Sequence, residues 1–377
     1  MTPDNHQTPY VIYDAQIIDR QHSALRQYLD HAYPRSRIYY ALKACYLLPV
    51  VNRLVKLGCG LEVATPSEHA IARYLHLAGP QIFWNGPSLR QETLRGIVER
   101  GELLGLDSPH LFQVLNDMAG SFAKKVPVCL RINLSADGRL GMSPDQAEFL
   151  LKSDSPLEIS GFHMHIGRGD QAGTVIVEQK LRFLDLILRW ESQFGLNVRH
   201  VNLGGGIPVG RPLESSLGPL LNALSRLKSA PELFLEPGAF LVEEAATAYA
   251  RVVSIKTLPS GVWAALDLGA NFLVPLNRAA FAVHHDQREA TGSVTHFGGP
   301  FCFEADVIAR NQPVAVQPGD VVRITRCGAY TESLSSCFFT APPPAFWLDE
   351  GVLMEVKRFS DPLNFFLAHH GYPSTAG

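Results

Sequence analysis

The sequence has few charged residues and few cysteines for its length, and both shortages exclude classes of protein. Only 18% of its 377 residues are charged and the formal net charge is -3, which leaves no basic surface for the phosphate backbone of a nucleic acid. The six cysteines include no Cys-x-x-Cys pair, which argues against a zinc site or a disulfide framework. We therefore expect reduced cysteines, mostly in the core, no metal and no nucleic-acid partner.

Long apolar runs are also absent. No uninterrupted apolar stretch approaches the roughly 18 residues that a membrane span needs. The first residues, MTPDNHQ, lack the positive and then apolar segments of a secretion signal. These absences predict a cytoplasmic protein with no membrane partner. The hydrophobic content of 46% is enough for a large core and for two domains.

The first two thirds of the chain repeat one unit, in which an apolar run is followed by a turn and an amphipathic helix. The runs predicted as strands are 38–42, 60–64, 81–85, 102–106, 127–133, 158–165, 199–204 and 232–236. Capping signals predict helix starts at Thr65 to Glu68, Ser88 to Gln91, Ser108-Pro109 and Ser143 to Gln146. Glycines predict helix ends at Gly58, Gly101, Gly120 and Gly195. Eight such units predict a (β/α)8 barrel that binds its ligands at the C-terminal strand ends.

From about residue 246 the pattern changes to short alternating runs separated by turns. The runs predicted as strands are 250–256, 262–268, 305–309, 321–325 and 352–356. The fold class is therefore α/β, with a (β/α)8 barrel over residues 25–245 and an all-β domain over residues 246–377. Residues 1–24, with a strand-like Tyr10 to Tyr13, are expected to complete the second domain.

Lys43, at the end of the first barrel strand, is the first candidate for chemistry. Period-two alternation puts it on one face of the strand with Tyr39 and Ala41, among small residues inside a barrel. Desolvation there would lower its pKa and free the amine for Schiff-base formation. The alternative is a lysine that reaches solvent from the barrel rim.

Three further signals lie at the ends of later strands. The triplet Gly204, Gly205 and Gly206 is either a phosphate cradle made of backbone amides or a tight turn. His163 and His165 are either a metal pair, or one core histidine and one that stacks on an aromatic cofactor. Glu236 either keeps a pyridine nitrogen protonated or forms an ordinary salt bridge.

Two residues of the second domain are candidates of a weaker kind. Cys302 follows a glycine-rich segment and lies in a loop, and loops carry function more often than strands do. A buried structural thiol is the alternative for this cysteine. Tyr330 follows Gly328-Ala and, by itself, is an aromatic residue in a turn.

Taken together, these segments resemble the fold-type III pyridoxal-phosphate decarboxylases, the family of diaminopimelate, ornithine, arginine and carboxynorspermidine decarboxylases. The resemblance rests on the order of several short motifs over nearly the whole chain. The motifs are Tyr40 to Ala44, Glu62 to Glu68, His165 to Gly167, Leu203 to Gly206, Glu236 to Gly238, Asp267 to Gly269, Gly299 to Cys302 and Gly328 to Tyr330.

The resemblance implies a pyridoxal 5'-phosphate cofactor and a role for each matched residue. Lys43 would form the Schiff base, His165 would stack on the ring, and Glu236 would pair with the pyridine nitrogen. The cofactor phosphate would be bound by the three glycine amides, by Gly238 and by the Tyr330 hydroxyl. Cys302 would act in the partner subunit's site of a homodimer, as the acid that protonates the substrate carbon.

Departures from the family pattern concern the cofactor phosphate and the substrate. Ala239 stands where an arginine is usual, and we expect Arg168, in place of the usual serine, to supply the missing cation. Val274-Pro275 replaces an Arg-Pro, and Phe303 replaces an acidic residue that meets the distal amine of the substrate.

These substitutions disfavour free diaminopimelate and ornithine as substrates. They predict a modified or conjugated amino acid from a specialised pathway, for example a siderophore intermediate. Glu304 and Arg278 are polar groups that could contact such a substrate. An amino-acid racemase of similar architecture and a non-catalytic binding relative are the alternative functions.

Overall fold

The computed structural model describes residues 7–122, 124–135, 138–167, 173–274, 281–286 and 294–358, with positions 363 and 367. The chain divides into two compact units. The sheet unit comprises residues 1–20, 44–51 and 241–377, and the barrel unit comprises residues 21–43 and 52–240. The domain boundary between residues 245 and 246 stays a prediction.

The elements are numbered along the chain. The strands are β1 Tyr10–Asp14, β2 Ser36–Ala41, β3 Gly60–Val63, β4 Ile82–Trp84, β5 Leu103–Leu106, β6 Val126–Arg131, β7 Leu157–His163, β8 His200–Asn202, β9 Glu232–Leu235, β10 Ala246–Leu258, β11 Gly261–Leu266, β12 Ala282–His284, β13 Thr295–Gly298, β14 Val307–Gln312, β15 Val321–Thr325, β16 Ala345–Asp349 and β17 Val352–Lys357. The helices are α1 Ala15–Ala32, α2 Leu48–Lys56, α3 Pro66–Tyr74, α4 Gln91–Glu99, α5 Pro109–Met118, α6 Pro144–Leu151, α7 Gly173–Phe194, α8 Leu213–Leu224 and α9 Ala239–Val242.

In the barrel unit, strands β2 to β9 close into a barrel in chain order, with every neighbouring pair parallel. Each of the eight predicted runs overlaps one of these strands, which confirms the barrel. Aromatic and small side chains fill its interior. This core cluster consists of Tyr39, Phe83, Cys129 and Phe234.

Most of the predicted helix starts in the barrel unit are confirmed. Thr65 and Ser143 form complete capping boxes, and the Ser108 hydroxyl accepts from the amide of Leu111. The start at Ser88 is wrong, because α4 begins only at Gln91. The intervening segment is extended and is anchored by the buried side chain of Leu89.

The predicted glycine stops are confirmed at three of four positions. Gly58, Gly101 and Gly195 have positive φ angles of 92°, 65° and 63°, the left-handed conformation that ends a helix. Gly120 was expected to be a fourth, but it lies inside a 3-10 turn, Ala119–Ser121, that continues from α5. Because the chain keeps turning in the right-handed sense there, Gly120 needs no left-handed backbone.

The sheet unit is built on one nine-stranded sheet. Its main path runs β14-β13-β11-β10-β1-β16-β17, and β15 pairs with both β10 and β12. Strand β1 lies in the middle of this path, antiparallel to β10 and parallel to β16. The prediction of a mainly β second domain is confirmed. The strands β12, β13 and β16, of three to five residues each, were missed.

None of the six cysteines forms a disulfide bond, and four of them are buried. Cys302 is exposed, so the buried structural thiol considered for it is wrong. Within the described part of the chain, no helix is both long enough and apolar enough to cross a membrane.

His200 in β8 is a buried neutral histidine whose effect on stability can be tested. Its ring stacks on Phe234 with 4.7 Å between centroids, and its Nε2 has no hydrogen-bond partner. Burial, followed by the charges of Arg199 and Arg37, lowers the pKa of His200 from 6.5 to about 4. The unfolded chain therefore binds a proton more readily. The free energy of unfolding should fall as the pH drops from 6.5 towards 4, by on the order of 3 kcal/mol from this residue.

The free energy of unfolding, measured with urea at pH 7 and pH 4.5, should fall less in His200→Leu than in the wild type. The same replacement at the exposed His31 serves as the control. An equally steep decline in wild type and His200→Leu would show that another group controls the acid sensitivity.

Candidate functional site

The predicted site residues of the barrel lie at the C-terminal ends of its strands. Lys43 follows β2, His165 follows β7, the glycine triplet follows β8 and Glu236 follows β9. This is the end of a parallel barrel at which active sites form. The barrel closure thus brings together residues that are up to about 190 positions apart in the sequence.

Lys43 does not lie within the strand, contrary to the sequence prediction. Strand β2 ends at Ala41, and Lys43 is the middle residue of a 3-10 turn, Leu42–Ala44. Because the side chain starts beyond the strand end, it is 40% exposed rather than desolvated as expected. Its Nζ atom lies 2.7 Å from Oε2 of Glu62.

Glu62 was part of a quoted motif, but the sequence analysis gave it no role. It is the penultimate residue of β3 and is almost completely buried, with 2% of its side chain exposed, and its Oε1 has no hydrogen-bond partner. Burial raises the pKa of Glu62 to about 7, although Lys43 acts in the opposite direction. A carboxyl group with such a pKa can take up or release a proton near neutral pH.

Glu236 is also buried, and one of its oxygens has no partner. Asn202 Nδ2 donates a hydrogen bond of 2.7 Å to Oε1. Oε2 lacks a hydrogen bond and lies 3.5 Å from Nε2 of His163. Burial favours the neutral acid, but His163 and Lys43 outweigh this effect and lower the pKa of Glu236. Oε2 of Glu236 is therefore an ionised oxygen beside His163 that has no hydrogen-bond partner.

The two histidines have different surroundings. His163 is fully buried beside Glu236, whereas Nδ1 of His165 accepts a 3.1 Å hydrogen bond from the amide of Gly205. Burial is the main cause that lowers the pKa of both imidazoles. His165 is therefore neutral, with its proton on Nε2. Among the described residues, no group of three or more potential metal ligands occurs, and the two rings face different partners.

The glycine triplet is packed too closely for side chains. A Cβ atom on Gly204 would lie 2.7 Å from the Met164 carbonyl oxygen, and one on Gly205 would lie 2.7 Å from that of Glu236. Gly204 and Gly206 have positive φ angles of 61° and 78°. The turn thus packs the main chain itself closely against the backbone of Glu236.

Two of the three amides predicted to bind phosphate already have partners. The Gly204 amide donates to Oδ1 of Asn202 at 2.8 Å, and the Gly205 amide donates to His165. Gly206 is the one member of the triplet whose amide lacks a partner among the described residues. Gly238 is buried and directly precedes the short helix α9.

A cavity of about 690 Å³ opens at this end of the barrel. Lys43, Glu62 and His165 line it, together with polar residues that the sequence analysis missed, Asn85 and Arg131. Arg131 is buried and its Nη1 lies 3.1 Å from Oδ1 of Asp107 and 3.4 Å from Oδ1 of Asn85. A charged residue that ends an apolar strand, as Arg131 ends β6, is the signal that could have revealed it.

Cys302 of the sheet unit lies in a loop that Asp306 organises. The buried Asp306 carboxylate accepts the amides of Phe301 and Ala270 at 2.9 and 2.7 Å. Burial raises the pKa of Asp306, and these amide hydrogen bonds lower it. Phe303 and Glu304 are exposed on the same loop.

Tyr330 has a strained backbone with φ at 59°, which costs a non-glycine residue on the order of 1 kcal/mol or more. Its amide donates a 2.7 Å hydrogen bond to the carbonyl of Ala44, which helps to hold this conformation. Gly328 lets this turn pack against the backbone of Val242, because a Cβ atom at position 328 would lie 1.6 Å from the Val242 carbonyl oxygen. Arg168 and Arg278 lie outside the described residues.

The barrel site fits the cofactor that the sequence resemblance implies. A pyridine aldehyde phosphate needs an amine, an acceptor for its ring N–H and a turn that can approach its phosphate closely. Lys43, the unsatisfied Oε2 of Glu236 and the glycine triplet supply these three features.

Comparisons with known proteins point to the same family as the sequence motifs. The sequence model of the family described as "Pyridoxal-dependent decarboxylase, pyridoxal binding domain" matches residues 15–243. The diaminopimelate decarboxylase of Haemophilus influenzae is 26% identical over 359 residues, which cover 87% of this chain and 85% of the relative. That of Deinococcus radiodurans is 28% identical over 349 residues, which cover 90% and 89%.

Solved structures share the fold over nearly the whole chain. Diaminopimelate decarboxylase from Helicobacter pylori, complexed with L-lysine, superposes with a TM-score of 0.84 at 22% identity, covering 98% of both chains. Lysine/ornithine decarboxylase from Vibrio vulnificus, complexed with cadaverine, gives 0.80 at 23% identity, covering 92% of this chain and 96% of the other.

Proposed function

This chain belongs to the family of pyridoxal-dependent decarboxylases, and we propose that it decarboxylates an amino acid whose distal amine or carboxylate is modified or conjugated. Pyridoxal phosphate, the cofactor of the family, supplies an electron-withdrawing ring that accepts the electron pair released when carbon dioxide leaves the α-carbon. The protein's own residues provide the amine, the protons and the orientation.

The observation that supports the decarboxylase site most directly is the pair formed by Lys43 and Glu62. Their 2.7 Å contact places a carboxyl group, whose pKa burial raises to about 7, where it can exchange a proton with Nζ. The neutral amine is the form that reacts with an aldehyde. We therefore infer that Glu62 activates Lys43 and later returns the proton.

Glu236 would stabilise the protonated form of the ring nitrogen. Asn202 occupies Oε1 and fixes the carboxylate plane, so Oε2 remains as the acceptor for a ring N–H. His165, neutral and held through Nδ1 by Gly205, would stack against the ring without adding a positive charge. Binding of the phosphate by Gly204 to Gly206, Gly238 and Tyr330 stays a prediction.

We also propose a homodimer in which Cys302 acts in the partner's site. The thiol is exposed on a loop held by Asp306, as a group that works outside its own subunit would have to be. Sedimentation of the purified protein would test the dimer. Mixing Cys302→Ala with Lys43→Ala subunits would test the shared site, since one intact site per mixed dimer should restore activity.

The function is tested with purified protein, added cofactor and a panel of amino acids and their conjugates. We expect carbon dioxide and the corresponding amine in a ratio of one to one. Inversion of the α-carbon without gas release would instead support a racemase. Cofactor binding without turnover of any panel member would contradict the proposed decarboxylation and favour a binding role.

The aromatic surroundings of Cys302 favour a substrate without a free charge at its distal end. Phe301, Phe303, Phe338 and Phe339 form what we call the phenylalanine cluster. Its ring centroids are 5.0 Å apart for Phe301 and Phe339, and 5.6 Å apart for Phe303 and Phe338. Three of these rings are about half exposed, so a bound apolar group could cover them.

Diaminopimelate is the second candidate substrate, because the curated relatives are named diaminopimelate decarboxylases. Leaving a buried donor without a partner costs roughly 1 to 3 kcal/mol, and more when the donor is an ammonium. Phe303 has no carboxylate to form an ion pair with the distal ammonium. A siderophore intermediate is one example of the substrates that we propose, in which the distal group is modified or conjugated.

The replacement Phe303→Glu separates the two substrate classes. We expect kcat/KM for diaminopimelate, lysine or ornithine to rise about 10-fold, because the new carboxylate can pair with a distal ammonium. The kcat/KM for an apolar conjugate should fall. Phe149→Glu, at an exposed phenylalanine of α6, is the control. A wild-type preference for free diaminopimelate that Phe303→Glu does not increase would contradict the proposed class.

A further inference from the structure

We propose that Lys180 is the positioning cation for the cofactor phosphate, acting through the peptide group between Gly205 and Gly206. This inference rests on the proposed binding of the phosphate at the glycine triplet. Lys180 matched no motif and was not a candidate in the sequence. It lies on α7, on a face otherwise occupied by buried apolar residues such as Ile176, Phe183 and Leu184.

Lys180 is almost completely buried, which is unusual for a lysine without a carboxylate partner. Its Nζ atom donates a 2.6 Å hydrogen bond to the carbonyl oxygen of Gly205. Among the described residues, no other partner of this amine occurs. The ammonium has three donors, so its bonding capacity is not satisfied by this one carbonyl.

The position of that hydrogen bond decides its effect. The Gly205 carbonyl and the Gly206 amide belong to the same peptide group, so a cation at the oxygen end strengthens the N–H at the other end as a donor. The Gly206 amide is also the one member of the triplet without a partner among the described residues. Lys180 therefore polarises the amide that is available to an anion.

The charge of Lys180 is costly until an anion binds nearby. Burial lowers the pKa of Lys180 to about 8, and Glu236 is the group that raises it. Lys180 in turn helps to lower the pKa of His165. A phosphate dianion at the triplet would add the negative charge that this buried ammonium lacks. Position 239 holds a buried alanine and cannot provide a cation.

The experiment compares two ligands that differ only in the phosphate. Equilibrium dissociation constants of pyridoxal phosphate and of pyridoxal are measured by absorbance with cofactor-free wild type, Lys180→Met and Lys180→Arg. Methionine is close to lysine in length and lacks its charge. We expect Lys180→Met to weaken binding of pyridoxal phosphate about 10-fold to 100-fold while changing pyridoxal binding less than about twofold. Lys180→Arg should retain part of the preference for pyridoxal phosphate over pyridoxal.

Two controls separate an electrostatic role from a structural one. Lys152→Met removes an exposed lysine of the barrel unit and should change neither constant. Inorganic phosphate should compete with pyridoxal phosphate less effectively in Lys180→Met than in wild type. If Lys180→Met does not fold, Lys180→Gln is measured in its place, with circular dichroism as the check.

The outcomes are distinguishable from those that test the proposed function. An equal loss for both ligands, or no loss for either, would overturn the role of Lys180. A loss specific to the phosphate in Arg168→Ala but not in Lys180→Met would transfer the role to Arg168. Failure of the wild type to bind pyridoxal phosphate at all would refute the proposed function itself.

Discussion

Replacing Lys43 with alanine is expected to lower kcat/KM for decarboxylation by about 10³-fold or more. Under the proposed function, Lys43 offers the cofactor aldehyde an amine that contacts the buried carboxyl group of Glu62 at 2.7 Å. Without Nζ at position 43, the cofactor can be bound only through its ring and phosphate. Both the covalent attachment and the activated amine would be lost.

The measurement combines activity with a covalent label. Borohydride reduction followed by peptide mapping should place the cofactor on Lys43 in the wild type and on no residue in Lys43→Ala. Lys152→Ala, at an exposed lysine, is the matched control and should retain activity and label. A label on any other lysine in the wild type would refute the role of Lys43.

The replacement Glu236→Gln should reduce kcat by about 10²-fold to 10³-fold with little change in cofactor affinity. Asn202 Nδ2 donates to Oε1 of Glu236, so the amide oxygen of glutamine must take that place. Its NH₂ group then occupies the position of Oε2 and can only donate. A donor at that position pairs with an unprotonated ring nitrogen, and such a ring accepts electrons poorly.

This prediction is checked by single-turnover kinetics and by the absorbance of the bound cofactor. Glu99→Gln, at an exposed glutamate of α4, controls for the loss of one negative charge. Asn202→Ala removes the orienting bond but keeps the carboxylate, so we expect a smaller loss than in Glu236→Gln. Equal activity of Glu236→Gln and wild type would show that the carboxylate is not needed to keep the ring nitrogen protonated.

A site residue could be predicted from the sequence when its own type and its neighbours in the chain were enough to identify it. Lys43 and Glu236 end strand-like runs, and a glycine triplet needs no partner to be noticed. Their partners were not predictable, because Glu62 and Asn202 are polar residues at strand ends like many others. Barrel closure and strand register give them their contacts, across 19 residues to Lys43 and 34 residues to Glu236.

The sequence by itself determined the eight alternating units, most of the helix ends and the order of the motifs. These features depend on short-range periodicity and on capping interactions within a few residues. Only the tertiary structure decided that Lys43 lies beyond its strand against Glu62, that Asn202 leaves one oxygen of Glu236 unsatisfied, and that Lys180 lies beneath Gly205. These contacts join elements that are distant in the chain, so their geometry exists only after the barrel has closed.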